Sequence, residues 1–381
     1  MFKKDRIGTF HMDFADKSNN IHDDNKAVSL CKVSKVFTQW QRDNTGKGLI
    51  KNLLKPEKRI VAALDNVSFE IEKGEFVAYA GPNGAGKSTT LRLLAGMLQP
   101  TSGDINVMGM SPQHQRRSLM LRLGVLFGNR TELWWDHPII QSFEWKKVVW
   151  DIPDKIYKRN LDMVTELLDI GDLLKTFVRE LSLGQRMRAD LAMLLLHSPE
   201  LILLDEPTLG LDVAAKRRMI DFLKRLNREG GVTIVVTSHD MDDLEEMARR
   251  VLMISHGKIA YDGSFDGLRN ITGNLARFTV TMEAGAPPPL TITHHSLNAT
   301  QLPQSGAPPI IGSSSHAGIT LIEGFEGVYE YEIDVTKIPI KNLLRQLSES
   351  GGISDLEINK APIEQIITNL YAGWEEKPKH K

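Results

Sequence analysis

One short run of the chain combines glycines with a lysine and two hydroxyl side chains, and it fits the pattern G-x-x-x-x-G-K-[ST]. Glycines in such a loop allow positive φ angles and let an anion approach the backbone closely. The pattern predicts that the backbone N–H groups and the Lys87 ammonium group bind nucleotide phosphates, while the Ser88 hydroxyl ligates Mg²⁺. The predicted phosphate-binding residues are Gly81, Pro82, Asn83, Gly84, Ala85, Gly86, Lys87, Ser88 and Thr89.

The segments on either side of this loop are suited to position it. The apolar run from Phe76 to Ala80 is typical of a buried strand. The stretch from Lys87 to Met97 has apolar residues at helical spacing and predicts a helix that begins in the loop. The N-terminus of a helix presents free N–H groups and the positive end of its dipole, so this arrangement favours an anion.

Further polar residues follow two other apolar runs. Leu201 to Leu204 predicts a buried strand that ends in Asp205 and Glu206, and Val232 to Val236 predicts another that ends close to His239. Two adjacent acids after a buried strand need partners, so a site for Mg²⁺ and a water is favoured over a plain charged turn. His239 is expected at the same edge of the sheet, which favours a functional role for it.

A fourth motif, Leu181 to Gln185, opens a predicted helix, with Ser182 as its N-cap. Between the phosphate loop and this motif, the chain from Gln113 to about Leu181 is predicted to be mostly helical, with Asp136 as the N-cap of one helix. Four of the six tryptophans fall there, and two interpretations stay open: a protein interface, or packing inside the helical region. These tryptophans are Trp134, Trp135, Trp145 and Trp150.

Composition limits the class of protein. With 41% apolar residues, 25% charged residues and a formal net charge of −1, the chain is typical of a globular protein and is not expected to bind nucleic acid through bulk charge. Its one cysteine, Cys31, excludes an internal disulfide and fits a reducing compartment. No uncharged apolar run is long enough to span a bilayer and no signal peptide is evident, so any membrane span is expected from another chain.

The predicted organisation has two folded domains. We expect a disordered tail over residues 1–26, a nucleotide-binding domain over 27–270 with a helical subdomain at about 113–181, and a small α+β domain over 275–373. That second domain contains a flexible Pro/Gly/Ser-rich insertion at 284–318, and residues 374–381 form a tail. The basic segment 38–60 is interpreted as a solvated insertion, with a contact to anionic lipid or a partner as the alternative.

The chain resembles the ATP-binding subunits of ABC transporters, because it has their motifs in the same order. These are the phosphate loop, the Leu181–Gln185 motif, the strand with two acids and the strand with a histidine. The resemblance covers about residues 28–270. It implies an α/β P-loop NTPase core with an antiparallel β subdomain and a helical subdomain, to which the small C-terminal α+β domain is added. It also implies that Glu206 and His239 are catalytic, that Asp205 holds Mg²⁺, and that further nucleotide contacts come from Phe37 (stacked on adenine), Ser182, Gly184, Gln185 and Asp212.

Two positions depart from the family pattern. Leu183 stands where the signature LSGGQ has its first glycine, although the second, Gly184, is kept. Asn129 stands where the family has the glutamine of its Q-loop. Asparagine has the same amide chemistry on a side chain one methylene shorter, so Asn129 is expected to contact the nucleotide site and Mg²⁺.

The resemblance also implies partners. Two ATP-binding subunits, in a homodimer or a heterodimer, close head to tail around ATP and Mg²⁺ at the cytoplasmic face of the cell membrane, where they drive integral membrane permease subunits. The segment 127–136 and the C-terminal domain are similar to those of ABC-2-type exporters of the drug-resistance or viologen kind. A soluble ABC ATPase of translation or DNA repair is the alternative, but the first usually has two cassettes and the second a long coiled coil. An importer is disfavoured because its C-terminal extension tends to be a larger β-barrel.

Overall fold

The computed structural model describes residues 25–41, 57–128, 131–271, 275–283, 315–316, 319–325, 327–334, 338, 340–350 and 352–360. The chain divides into two compact units, Met1–Ser264 and Phe265–Lys381. Within the ranges above, no helix has both the length and the apolar character needed to cross a bilayer.

The first unit alternates strands and helices. Its strands are β1 (Lys26–Gln41), β2 (Glu57–Glu72), β3 (Phe76–Ala80), β4 (Ser102–Val107), β5 (Leu123–Phe127), β6 (Leu201–Asp205), β7 (Thr233–Thr237), β8 (Arg250–Ser255) and β9 (Lys258–Ser264). Its α-helices are α1 (Lys87–Leu94), α2 (Arg116–Met120), α3 (Ile139–Val149), α4 (Asp154–Leu167), α5 (Leu183–Leu195), α6 (Val213–Gly230) and α7 (Met241–Met247).

A six-stranded sheet in the order β5-β6-β7-β3-β8-β9 forms the centre of this unit. All neighbours in it are parallel except β8 and β9, which form an antiparallel hairpin. β3, β6 and β7 are apolar and buried, as expected of parallel strands covered on both faces. Their carboxyl ends lie at one edge, and the register places Asp205 beside Phe127 on one side and beside Thr237 on the other.

An antiparallel sheet in the order β2-β1-β4 confirms the predicted β subdomain. Part of the segment predicted as a solvated insertion belongs to this sheet, because Thr38 pairs with Ile60 and Gln41 with Glu57. That part of the prediction is wrong, because the two arms continue the antiparallel pairing of β1 with β2. Residues 49–54, whose apolar spacing is typical of a short amphipathic helix, lie outside the described residues.

The helical region contains α3 and α4 and two 3₁₀ turns, Gly171–Leu173 and Val178–Glu180. The prediction that Asp136 caps α3 is wrong. The N-cap is Pro138, without a side-chain cap, and the Asp136 carboxylate instead accepts a hydrogen bond of 2.9 Å from Arg179. Because the Asp136 carboxylate pairs with the Arg179 guanidinium group, it does not bind the free N–H groups at the start of α3.

The second unit is an α+β structure. Its elements are α8 (Phe265–Ile271), β10 (Leu275–Met282), β11 (Ser315–His316), β12 (Ile319–Phe325), β13 (Val328–Asp334), α9 (Ile340–Ser350) and β14 (Ile353–Lys360). The strands form an antiparallel sheet in the order β11-β12-β13-β10-β14, and its core includes Phe278, Tyr331 and Leu343. β11 occupies positions predicted as flexible insertion, because Ser315 and His316 pair with β12. Residues 363–371, whose sequence pattern is typical of a helix, lie outside the described residues.

A close contact between β5 and α5 fixes α5 over the sheet. An ideal Cβ on Gly124 would lie 2.5 Å from Cδ2 of Leu194, which is 4% exposed. Such a distance requires the leucine to move. The absence of a side chain at residue 124 therefore allows α5, which begins at the Leu181–Gln185 motif, to approach the sheet.

We expect Gly124→Ala to lower the free energy of unfolding by about 1–3 kcal/mol, because it overpacks this contact. Chemical denaturation measures the change. In the double variant with Leu194→Ala, the added methyl group has room, so the double variant should lose less stability than the sum of the two single variants. Strictly additive losses would contradict the proposed contact.

Candidate active site

The predicted phosphate loop lies between β3 and α1, at the carboxyl edge of the central sheet. Gly86 is the N-cap of α1 with φ of 118°, and no side chain caps this helix end. An ideal Cβ on Gly86 would lie 2.7 Å from the carbonyl oxygen of Ala63, and one on Gly81 would collide with the carbonyl of Ile254. The loop is therefore backed closely by neighbouring backbone, and the first N–H groups of α1 remain available to an anion.

Lys87 extends back across this loop. Its Nζ donates hydrogen bonds of 2.6 Å to the carbonyl of Gly81 and 3.3 Å to that of Pro82, and the residue is buried. Burial lowers the pKa of Lys87 below its usual value, while the charges of Glu206 and Asp205 raise it in part. The ammonium group thus lies in the field of both predicted acids, as a phosphate-binding cation beside a metal site should.

Asp205 and Glu206 are linked by a residue that the sequence analysis did not select. The Thr237 hydroxyl donates a hydrogen bond of 2.7 Å to Oδ1 of Asp205. The Glu206 N–H donates to both the carbonyl and the hydroxyl oxygen of Thr237, each at 3.1 Å. In the sequence, only the position of Thr237 indicates such a role, because it lies at the end of the strand that is expected next to the acids.

Glu206 also approaches His239. Its Oε2 lies 3.5 Å from Nδ1 of His239, and the two side chains are 25% and 55% exposed. Glu206 has φ of 55°, a left-handed conformation that is unusual for a residue with a side chain. The structure therefore brings Lys87, Asp205, Glu206 and His239 together at the edge of the sheet where the sequence predicted them.

The signature motif forms the N-terminus of α5. The Ser182 hydroxyl accepts from the Gln185 N–H at 3.2 Å, and the Gln185 side chain accepts from the Ser182 N–H at 2.8 Å, which is a capping box. The predicted cap is confirmed. Ser182 is exposed and Gly184 is half-buried, so this helix end faces away from the packed interior.

Leu183, the departure from the signature, is placed over Gly210. An ideal Cβ on Gly210 would lie 2.9 Å from Cδ2 of Leu183. Gly210 has φ of 75°, a conformation that favours glycine in any case. Leu183, which is larger than the glycine of the signature, therefore fits because Gly210, two residues before Asp212, has no side chain.

Asp212 and Phe37 have their own local roles. Asp212 is the N-cap of α6 and accepts a hydrogen bond of 2.8 Å from the Ala215 N–H. Phe37 is half-buried in β1, where Lys35 Nζ lies 5.1 Å from its ring centroid. It pairs with Val61 on β2, the strand that also carries Ala63 behind the phosphate loop. Asn129 lies outside the described residues.

A buried acid joins α5 to the segment that follows β5. Oδ1 of Asp190 accepts a hydrogen bond of 2.7 Å from the hydroxyl of Thr131, whose oxygen accepts one of 3.0 Å from the Leu133 N–H. At the other end of this segment, the Gly128 N–H donates to the Asp205 carbonyl at 3.1 Å. A cavity of about 680 Å³ is lined by Asp205, Thr131 and other residues of the core and the helical region. Gly128 therefore contacts the strand end that carries Asp205, and Thr131 contacts the signature helix.

The donor set fits Mg²⁺. Ser88 supplies a hydroxyl oxygen and Asp205 a carboxylate oxygen, the ligands that this hard cation prefers. The described residues contain no cluster of three or more His, Cys, Asp or Glu side chains that would hold a metal alone.

Known proteins share sequence with this chain. A family model described as "ABC transporter" matches residues 64–209. The chain is 34% identical over 212 residues to the ABC transporter ATP-binding protein NatA of Bacillus subtilis, an alignment that covers 56% of this chain and 86% of that protein. It is 30% identical over 263 residues to the bacitracin transport ATP-binding protein BcrA of Bacillus licheniformis, covering 67% and 81%.

The fold is shared with a solved ATP-binding cassette, a dimer in a post-hydrolysis state bound to ADP and Pi. The TM-score is 0.52 at 24% identity, over 62% of this chain and 98% of that one.

The buried Asp190 predicts a pH dependence of stability. Burial raises its pKa to about 6, against the hydrogen bonds from Thr131 and the Glu132 backbone and the charge of Arg186. Between the pKa of Asp190 in the unfolded chain, about 3.9, and its pKa in the folded chain, about 6, the folded state binds more protons than the unfolded state. The stabilisation that protonated Asp190 gives the folded state is therefore lost as pH rises through that window. Asp190→Asn, which still offers an oxygen to Thr131, should remove this contribution.

We therefore expect the free energy of unfolding of the wild type, relative to Asp190→Asn, to fall by roughly 2–3 kcal/mol between about pH 4 and pH 7. Urea unfolding at several pH values measures the difference. Parallel curves for the two proteins would contradict the assignment.

Proposed function

The chain belongs to the family of ABC transporter ATP-binding proteins, and we propose that it hydrolyses ATP to power the export of a substrate through separate membrane permease subunits. The observation that carries the proposal is the meeting of Lys87, Asp205, Glu206 and His239 beside an uncapped helix N-terminus. These groups provide a phosphate cradle, a metal ligand and a base at one edge of the sheet. The identity of the substrate would be determined by the permease.

Each residue has a role in this reaction. The loop N–H groups and Lys87 bind the β- and γ-phosphates, and Ser88 and Asp205 hold Mg²⁺, which neutralises phosphate charge when it is bound. Glu206 accepts the proton of the attacking water or orients that water. His239, 3.5 Å from Glu206 and largely exposed, contacts the γ-phosphate.

A second subunit completes the site. The N-terminus of α5, with Ser182 and Gly184, is another anion-binding helix end, and it is exposed on a motif separate from the phosphate loop. In a head-to-tail homodimer or heterodimer it faces the nucleotide held by the other subunit. The single subunit is therefore expected to hydrolyse ATP slowly.

The tryptophans support a membrane partner. Trp145 and Trp150 are half-buried, with ring centroids 6.4 Å apart, which fits packing inside the helical region. Trp134 and Trp135 are 38% and 50% exposed, and Phe177, also exposed, lies nearby in the same region. Exposed tryptophans are enriched where proteins bind each other.

We place the ABC-2-type permease at this surface and the subunit at the cytoplasmic face of the membrane. The near-neutral net charge of −1 gives no support for a nucleic-acid partner.

Glu206→Gln should retain ATP binding and lose at least about 100-fold in turnover, because the amide cannot accept the proton. Lys87→Ala is the matched control, since it should weaken ATP binding itself. Nucleotide affinity and phosphate release are measured for both. ATPase activity of Glu206→Gln close to wild type would refute the assignment of the base.

Trp135→Ala should weaken assembly with the permease about 10-fold or more, as is typical of an interface tryptophan, and leave ATP binding by the isolated subunit unchanged. The partner to test is a multi-span membrane protein encoded beside this chain, and the measurement is co-purification in detergent. Val148→Ala is the control because Val148 is 75% exposed on α3. Equal losses in the two variants, or none, would contradict the proposed surface.

A further inference from the structure

Thr237 occupies a position between the two acids that no motif assigned. It is the last residue of β7 and fully buried, and the parallel register places it directly beside Asp205. Its hydroxyl contacts both acidic residues, Oδ1 of Asp205 at 2.7 Å and the backbone nitrogen of Glu206 at 3.1 Å.

The direction of these two hydrogen bonds follows from the donors present. The Glu206 N–H can only donate, so the Thr237 oxygen is the acceptor there. A hydroxyl has one proton, and that proton is left for the Asp205 carboxylate, which accepts it. The hydroxyl therefore couples the two acids through one oxygen atom.

Each contact has a consequence for one step of the reaction. The bond to Oδ1 restricts rotation of the Asp205 carboxylate and leaves Oδ2 for a cation or its water. The bond to the Glu206 N–H supports that residue in its left-handed conformation, φ of 55°, from which the side chain reaches towards His239. Loss of the hydroxyl would free the Asp205 carboxylate to rotate and leave the Glu206 N–H with the Thr237 carbonyl as its one partner of the two.

We propose that Thr237 is a positioning residue for ATP hydrolysis, which orients the metal-binding carboxylate of Asp205 and the backbone of Glu206 through a single hydroxyl group. The inference rests on the proposed function, since it concerns the same site. It predicts that removal of the hydroxyl affects both the gain in ATP affinity from Mg²⁺ and the rate of turnover.

The same strand provides a matched control. Thr233 is also buried, and its hydroxyl accepts a hydrogen bond of 2.9 Å from the Gly74 N–H at the opposite end of β7. It lies at the amino edge of the sheet, away from the acids. Thr233→Val therefore removes a buried hydroxyl from the same strand without altering the site.

The experiment compares Thr237→Val, Thr237→Ser and Thr233→Val in the full-length chain. ATP affinity is measured by titration with Mg²⁺ and with EDTA, and kcat and KM by phosphate release. Thr237→Val should lose about 10- to 100-fold in kcat, because a hydrogen bond to a charged group is lost. Its KM for MgATP should rise together with the loss of ATP affinity in Mg²⁺, because KM approaches the dissociation constant when chemistry is slow. The variant should also lose most of the Mg²⁺-dependent gain in ATP affinity, while Thr237→Ser keeps both and Thr233→Val changes neither.

Other outcomes overturn the inference. If Thr237→Val has wild-type kcat and wild-type Mg²⁺ dependence, or if Thr233→Val loses as much, the role of Thr237 is structural only. If Thr237→Val does not fold, Thr237→Ala is measured in its place, and wild-type values for that variant refute the proposal. Wild-type chain that binds no ATP would refute the proposed function instead, so the two failures are distinguishable.

Discussion

Parallel strands end at the same edge of a sheet, and the nucleotide site of this protein depends on that constraint. The middle residues of β3, β6 and β7 are largely apolar and buried, so the polar groups of the site lie at or just beyond the carboxyl ends of these strands. Lys87 follows β3, Asp205 ends β6 and Thr237 ends β7, and the three meet there because these strands run in the same direction. The helix dipole of α1 adds to the same edge, which gives it both a cationic and an anionic part.

Side chains that carry opposite charges lie close together at this edge. Burial disfavours the ammonium form of Lys87, and the two neighbouring acids compensate in part. The acids in turn are held by hydrogen bonds from Thr237 and approached by His239. A polyphosphate with its cation would enter a set of groups that already compensate one another, which limits the reorganisation needed on binding.

Much of this arrangement could be predicted from the sequence, because local signals and tertiary structure agree there. The phosphate loop, the apolar strands and the Ser182 cap follow from glycine placement, periodicity and capping rules, each of which acts over a few residues. The failures come from contacts between residues distant in sequence. Asp136 pairs with Arg179 instead of capping α3, and the match of Leu183 with Gly210 depends on packing that no local pattern encodes. Thr237 was missed for a related reason, since its importance comes from the register of β7 against β6.

The left-handed backbone conformation of Glu206 affects which substitutions evolution can accept at this position. A residue with a side chain in that conformation costs on the order of 1 kcal/mol, which a glycine would not. Glycine at residue 206 would thus be compatible with a more stable fold, while it removes the carboxylate that we propose as the base of hydrolysis. Selection for stability alone and selection for turnover would act in opposite directions at this one position, so a chain in this family that lost its enzymatic role would be free to drift towards glycine there.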